Sequence, residues 1–242
     1  MSKMGAVIVA AGRGSRMRAA ESKQYLPLAG MPILFHTLLT FASHPDVAMT
    51  TVVVPPGDER RVLELAKRYG CDDRLSVTAG GAERQHSVMR GLNMLRNTGV
   101  PLVLVHDAVR PLVTHEMISA VGKEAEVSGA AVLAVPVKDT IKIAGPGGVV
   151  HSTPDRSSLW VAQTPQAFRV SLLLEAYEKA ERDGFLGTDD ASLVERLGYP
   201  VKLVPGDYAN VKITTPEDLE WAEHYIASRE RGRSDVSDRT RF

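Results

Sequence analysis

Near its start the chain reads Val9-Ala10-Ala11-Gly12-Arg13-Gly14-Ser15-Arg16-Met17, and a few positions on comes Lys23-Gln24-Tyr25-Leu26-Pro27-Leu28. The apolar run 6–10 empties into a glycine-containing basic loop that ends near a lone lysine. That order of parts suits a nucleoside triphosphate. Glycines let backbone N–H groups close on phosphate oxygens, and arginine and lysine supply countercharge. Neither of the two commonest nucleotide fingerprints is present: Met17 stands where a dinucleotide loop would carry its third glycine, and the Gly-Lys-Ser/Thr of a P-loop is missing. A basic surface loop after a buried strand is the plainer alternative.

Three further clusters carry chemistry-bearing side chains. Gly80-Gly81-Ala82-Glu83-Arg84-Gln85-His86-Ser87-Val88 follows a strand pattern and opens a helical one. A Gly-Gly turn there permits close approach of a flat base or a ribose, with the Ser87 hydroxyl one turn in; an ordinary strand-to-helix turn would look the same. His106-Asp107-Ala108-Val109-Arg110-Pro111 comes at the end of an apolar strand. A carboxylate placed there in an open α/β sheet faces the ligand crevice and suits Mg²⁺, with a surface Asp–Arg pair as the rival reading. Asn210-Val211-Lys212-Ile213-Thr214 sets a lysine just before the last helix. Taken alone, such a lysine reads as solvated.

The elements that must position these groups alternate. Short, largely apolar runs at 6–10, 47–54, 75–78, 102–105, 130–135 and 201–204 lack regular polar alternation, as expected for strands covered on both faces. Amphipathic stretches at 33–43, 59–69, 83–96, 116–128 and 172–183 lie between them, and Thr215-Pro216-Glu217-Asp218 starts a last helix with an N-cap, an N1 proline and first-turn acids. The pattern predicts an α/β fold, a doubly wound and mainly parallel sheet. The rhythm breaks at 137–160, where Asp139-Thr140-Ile141-Lys142-Ile143, the turn Gly145-Pro146-Gly147-Gly148 and Val149-Val150-His151-Ser152-Thr153 read as an inserted β-hairpin arm. A lone hairpin is marginal in water, so this one is expected to rest on a second subunit. Residues 1–228 form the expected domain and 229–242, charged and poor in apolar residues, an expected disordered tail.

Composition narrows the class. The 242 residues carry 29 Lys+Arg against 29 Asp+Glu, a balance that argues against nucleic acid as partner. Cys71 is the only cysteine, so no disulfide closes within the chain and a cytoplasmic location is expected. No apolar run approaches a membrane span. The seven histidines show no zinc spacing, and His106 reads as structural.

Together the motifs resemble one family closely. The opening loop, Lys23-Gln24-Tyr25, Gly80-Gly81 with Arg84-Gln85 and Ser87-Val88, His106-Asp107-Ala108-Val109-Arg110-Pro111, Asp139-Thr140, Thr164-Pro165-Gln166-Ala167-Phe168, Thr188-Asp189-Asp190-Ala191 and Asn210-Val211-Lys212 are similar, in order, to the 2-C-methyl-D-erythritol 4-phosphate cytidylyltransferases. The resemblance runs from about residue 5 to residue 226; Ser22 stands where many members have proline, and Ala209 where an acid is frequent.

The resemblance implies a Rossmann-like nucleotidyltransferase fold, with CTP and methylerythritol 4-phosphate giving CDP-methylerythritol and pyrophosphate. It also implies a divalent cation and a homodimer whose hairpin arms complete each other's sites. Arg16 and Lys23 match the groups that stabilise charge at the α-phosphate, and Arg156 and Lys212 those that position the acceptor phosphate. Ala10, Ala11, Gly12, Gly14, Gly81, Ala82 and Ser87 match nucleotide contacts. Asp107, Arg110, Thr140 and Thr188 match contacts on the acceptor side, with Thr140 and Arg156 coming from the partner's arm and Asp107 also near the metal. Ribitol 5-phosphate cytidylyltransferases share most of these motifs. A nucleotide sensor without catalysis is the rival from another class, opposed by the retained Arg16, Lys23, Asp107, Arg156 and Lys212. A glycosyltransferase is disfavoured, since the chain lacks an Asp-x-Asp motif.

Overall fold

Strands that are apolar on both faces belong at the centre of a layered structure, because neither face can meet water. The computed structural model, which describes residues 2–12 and 21–239, places the runs at 6–10, 47–54, 102–105 and 130–135 there, whereas those at 75–78 and 201–204 form the two edges of the sheet, with Lys202 and Leu203 exposed. In chain order the elements are β1 (Met4–Val9), β2 (Pro27–Leu28), β3 (Met31–Pro32), α1 (Ile33–Ser43), β4 (Val47–Val54), α2 (Glu59–Tyr69), β5 (Leu75–Ala79), α3 (Arg84–Leu95) and β6 (Leu102–Asp107). There follow α4 (His115–Ser128), β7 (Ala130–Pro136), β8 (Ile143–Ala144), β9 (Val150–Ser152), β10 (Trp160–Arg169), α5 (Val170–Arg182), α6 (Asp190–Arg196), β11 (Lys202–Pro205) and α7 (Pro216–Arg239).

Seven strands form one sheet in the order β11-β7-β10-β6-β1-β4-β5. Pairings within it are parallel except those of β10, which runs antiparallel to both β6 and β7. Alternate residues of β1 serve opposite layers: Met4, Ala6 and Ile8 join Phe35, Leu38, Val62 and Ile118 of α1, α2 and α4, while Val7 joins Val88, Leu92 and Leu173 of α3 and α5. The sheet is therefore doubly wound. From β1 the chain moves outward to β4 and β5, and α3 then carries it back to β6 on the other flank of β1. Val9 and Asp107 face each other in register at this reversal, the place where open α/β sheets bind ligands.

Two features differ from the sequence reading. Strand β10 was not expected, since Gln163, Thr164 and Pro165 break its apolar run; the register shift between Ala162 and Gln166 accommodates a proline that has no N–H to give a neighbour. Helix α6 was also unexpected. It is too short to stand alone and is fixed by a capping box between Asp189 and Ser192, with the Gln166 side chain holding both Asp189 and the Ala191 N–H. Helix α7 runs from Pro216 to Arg239. The inserted hairpin is present as β8 and β9, a separate two-stranded sheet.

Because the Asp189 side chain accepts from the Ser192 N–H and so caps α6, Asp189→Ala should lower the unfolding free energy in urea by about 1–2 kcal/mol. A midpoint unchanged from wild type would show that the cap does not hold the helix.

Candidate active site

Beyond the carboxyl ends of β1, β4, β5 and β6 opens a cavity of about 700 Å³. Its wall divides into two parts of different chemistry. Ala10, Ala11 and Gly12, the Gly80–Ala82 turn and Ser87 give a close-fitting backbone side; Lys23, Arg84, Asp107 and Lys212 give a charged side.

The backbone side is held shut by small residues. A Cβ on Gly80 would lie 2.4 Å from the Ala11 Cβ and 2.9 Å from Ser87 Oγ, so only glycine lets the two strand ends approach this closely. Ser87 stabilises the same turn: its hydroxyl accepts from the Gly81 N–H at 3.0 Å and donates to the Glu83 carbonyl at 3.1 Å. The Gly80 N–H itself donates to Val54 in β4 at 2.7 Å.

Asp107 is the hub of the charged side. Lys212 Nζ lies 2.8 Å from its Oδ2, Arg84 Nε 3.7 Å from Oδ1 and Arg110 Nε 3.7 Å from Oδ2. Burial alone would push this carboxyl up, but the charges of Lys212 and Arg84, then Arg110, outweigh it and hold the group well below the usual carboxylate range. Lys23 joins the same corner, its ammonium donating to the Ile213 carbonyl at 3.4 Å beside Lys212.

Behind Asp107 stands a buried polar frame. The Thr164 hydroxyl accepts from the Asp107 N–H at 3.0 Å and donates to His106 Nδ1 at 3.1 Å. His106 Nε2 in turn donates to the Arg110 carbonyl at 3.2 Å. Burial pushes the imidazole down to about 3, so it stays neutral and keeps both bonds. The Asn210 side-chain amide donates to the Thr164 carbonyl at 2.9 Å, while the Asn210 backbone carbonyl accepts from Arg110 Nη1 at 2.8 Å. The late lysine segment and the antiparallel strand are thereby fastened to the end of β6. His106 is structural, as its sequence context suggests.

The structure thus unites Ala10, Ala11, Gly12, Lys23, Gly81, Ala82, Ser87, Asp107 and Lys212 in one wall. Arg110 lies behind Asp107 and braces it. Gly14 and Arg16 lie outside the described residues. Thr140 and Arg156 are not brought to this cavity: both are exposed on the inserted segment, and Arg156 Nη1 donates to the Lys138 carbonyl at 2.7 Å. Thr188 is exposed one residue before the α6 cap and also stands apart from the wall. Arg84 is a site residue that reading by motif left without a role; its signal was a cation in the first helical turn after Gly80-Gly81. Among the described residues no three His, Cys, Asp or Glu side chains converge as a metal cage. A lone Asp107 does fit the way Mg²⁺ is commonly held, by one or two carboxylates together with substrate phosphates.

A sheet reversal carrying a glycine-lined cleft on one side and Lys, Arg and Asp on the other defines a nucleotidyltransferase site. The model of the family described as 2-C-methyl-D-erythritol 4-phosphate cytidylyltransferase, IspD, matches residues 4–228, and the chain belongs to that family. A relative from Bacillus velezensis bearing this name is 51% identical over 231 residues, covering 95% of this chain and 98% of the relative. Among solved structures, the 4-diphosphocytidyl-2C-methyl-D-erythritol synthase of Anaerococcus prevotii superposes with a TM-score of 0.83 at 32% identity, covering 93% of this chain and 99% of that one. The 2-C-methyl-D-erythritol 4-phosphate cytidylyltransferase of Thermus thermophilus gives 0.77 at 38%, covering 92% and 98%.

The Gly80 contact gives a direct test of the backbone side. Gly80→Ala should weaken nucleoside triphosphate binding by about tenfold or more in calorimetry, since overpacking here forces the turn from β1. Unaltered affinity would mean the ligand does not use this side.

Proposed function

We propose that this chain transfers the cytidylyl group of CTP to 2-C-methyl-D-erythritol 4-phosphate, releasing pyrophosphate and forming 4-CDP-2-C-methyl-D-erythritol in the non-mevalonate isoprenoid precursor pathway. The observation that carries the reading is the two-sided cavity, close-fitting backbone facing a lysine- and arginine-rich wall, in a member of this family. The names of the relatives at about half identity speak against the ribitol 5-phosphate reading.

The chemistry follows from charge. An oxygen of the acceptor phosphate attacks the α-phosphorus of CTP, and the bond from that phosphorus to the α–β bridging oxygen breaks as pyrophosphate leaves. The nucleophile is already an anion, so no general base is required; what is required is to bring two anions together in line. Lys23, with Arg16, stabilises the charge that grows on the α-phosphate, and Lys212 positions the acceptor phosphate. Asp107 fixes Lys212 in the wall and, with phosphate oxygens, would hold a Mg²⁺ that offsets triphosphate charge. Backbone groups of the Gly80–Ala82 turn read the base, and a site built to hydrogen-bond one base leaves buried groups unpaired with another.

A homodimer accounts for the arm. Ile141, Ile143, Val149, Val150, Trp160 and Val161 are exposed on and beside it, and an isolated hairpin of this kind is marginal in water. A second copy of the chain covers these residues and receives Thr140 and Arg156 into its own site. The cytoplasm is the proposed location; among the described residues no helix is long and apolar enough to cross a membrane.

Pyrophosphate release, measured with four nucleotides crossed against methylerythritol and ribitol phosphates, tests the reaction. CTP with methylerythritol phosphate should exceed every other pair by well over an order of magnitude; comparable turnover with UTP or ribitol phosphate would defeat the assignment. In the same assay Lys23→Ala should lower kcat by roughly 10²–10³ with a smaller effect on CTP affinity. Exchanging subunits between Lys23→Ala and Arg156→Ala proteins should restore about one whole site per heterodimer, because both lesions then fall in the same site. No recovery after proven exchange would mean that each arm serves its own chain.

A further inference from the structure

Arg84 enters the cavity wall from the first turn of α3, yet its firmest contact points away from the cavity. Its Nη2 lies 2.7 Å from Oδ2 of Asp190, a carboxylate with no solvent exposure, and the opposite oxygen Oδ1 accepts a hydrogen bond from the Tyr177 hydroxyl. Only the Nε edge of the guanidinium turns to Asp107, at the longer distance of 3.7 Å. Asp190 itself is set by rigid parts: it opens α6, whose N-terminus is fixed by the Asp189 cap and by Gln166 of β10, the strand paired with β6. A buried carboxylate is expensive unless it is paired and hydrogen-bonded. Asp190 meets both conditions with two residues from different helices, which ties α3, α5 and α6 to one point beside the site.

We infer that Asp190 is a positioning residue for the cytidylyl transfer: with Tyr177 it holds the Arg84 guanidinium at one place in the cavity wall, so that Arg84 braces Asp107 from the side opposite Lys212 without closing onto it. The geometry explains why an arginine stands there. A planar fork can reach two carboxylates at once through different edges, and a lysine ammonium on a flexible stem cannot hold both. Released from Asp190, Arg84 is free to close fully onto Oδ1 of Asp107, the oxygen opposite the one that Lys212 holds. The residue acts on the reaction through Arg84 alone and touches no substrate.

The inference rests on the cytidylyl-transfer reading, and steady-state pyrophosphate release by the full-length chain tests it. Asp190→Asn should lower kcat by roughly 10–100-fold while the KM for CTP changes much less, because the backbone side of the cleft is untouched. Arg84→Lys should show the same split. The double variant should be no slower than the slower single variant, since both substitutions remove one and the same fixed guanidinium. Assays are run well below each variant's thermal midpoint, with kcat taken per folded chain. Should Asp190→Asn fail to fold, Tyr177→Phe replaces it in the cycle with Arg84→Lys, with a smaller loss and the same non-additivity expected. Losses that multiply, or an Asp190→Asn kcat within about twofold of wild type, would overturn the inference. Inactivity of the wild-type chain towards CTP would instead strike the functional reading, leaving the two failures distinct.

Discussion

One buried carboxylate at the end of β6 organises this site. Asp107 sits where the sheet reverses direction, opposite Val9 of β1, and gathers Lys212, Arg84 and Arg110 from three separate parts of the chain. Removing such a charge from water is unfavourable, and a buried ion pair is no efficient way to stabilise a fold, since well-packed apolar residues do as well or better. The cluster makes sense as preorganisation. Its cations are held in place before any substrate arrives, so they need not be gathered at the moment the phosphates meet.

That preorganisation depends on the frame behind the carboxylate. The Thr164 hydroxyl, the neutral His106 ring and the Asn210 amide lock β6, β10 and the lysine-bearing segment to one another through bonds of about 2.9 to 3.2 Å. Each lies away from solvent, so an unpaired partner would carry a desolvation penalty. The same logic separates the two halves of the cleft. On the nucleotide side small residues and backbone dominate, because shape and hydrogen bonding discriminate a base; on the phosphate side charge dominates, because two polyanions must be brought within bonding distance.

Much of this was legible in the sequence, and the exceptions have physical reasons. The largely apolar run at 47–54 and the amphipathic periods at 33–43 and 59–69 match β4, α1 and α2 residue for residue, since patterns of burial on both faces or on one stripe leave little choice. Strand β10 escaped notice because its middle residues are polar: Gln163, Thr164 and Gln166 are buried by the hydrogen-bonded frame and not by hydrophobicity. Asp190 drew no role beyond its place in the motif Thr188-Asp189-Asp190-Ala191, because nothing local reveals that its partners Arg84 and Tyr177 are far away in the chain. Lys23 and Asp107 stood out from their motifs, while Lys212, which alone reads as solvated, gained a role from the family resemblance; the three line one wall. Arg156 and Thr140 were named by family resemblance only, and within one chain they remain outside the cleft.

The central claim is that the Asp107 charge sets up the phosphate side of the site. It is tested most directly by the steady-state rate of pyrophosphate release from CTP and methylerythritol phosphate in Asp107→Asn, a change that keeps the shape of the side chain and its backbone bond to Thr164 while removing the charge. A kcat lower by roughly 10²–10³, in a chain that still unfolds cooperatively, is the predicted result. A kcat close to wild type would contradict it, because Lys212, Arg84 and Arg110 would then be shown to act without the carboxylate that gathers them.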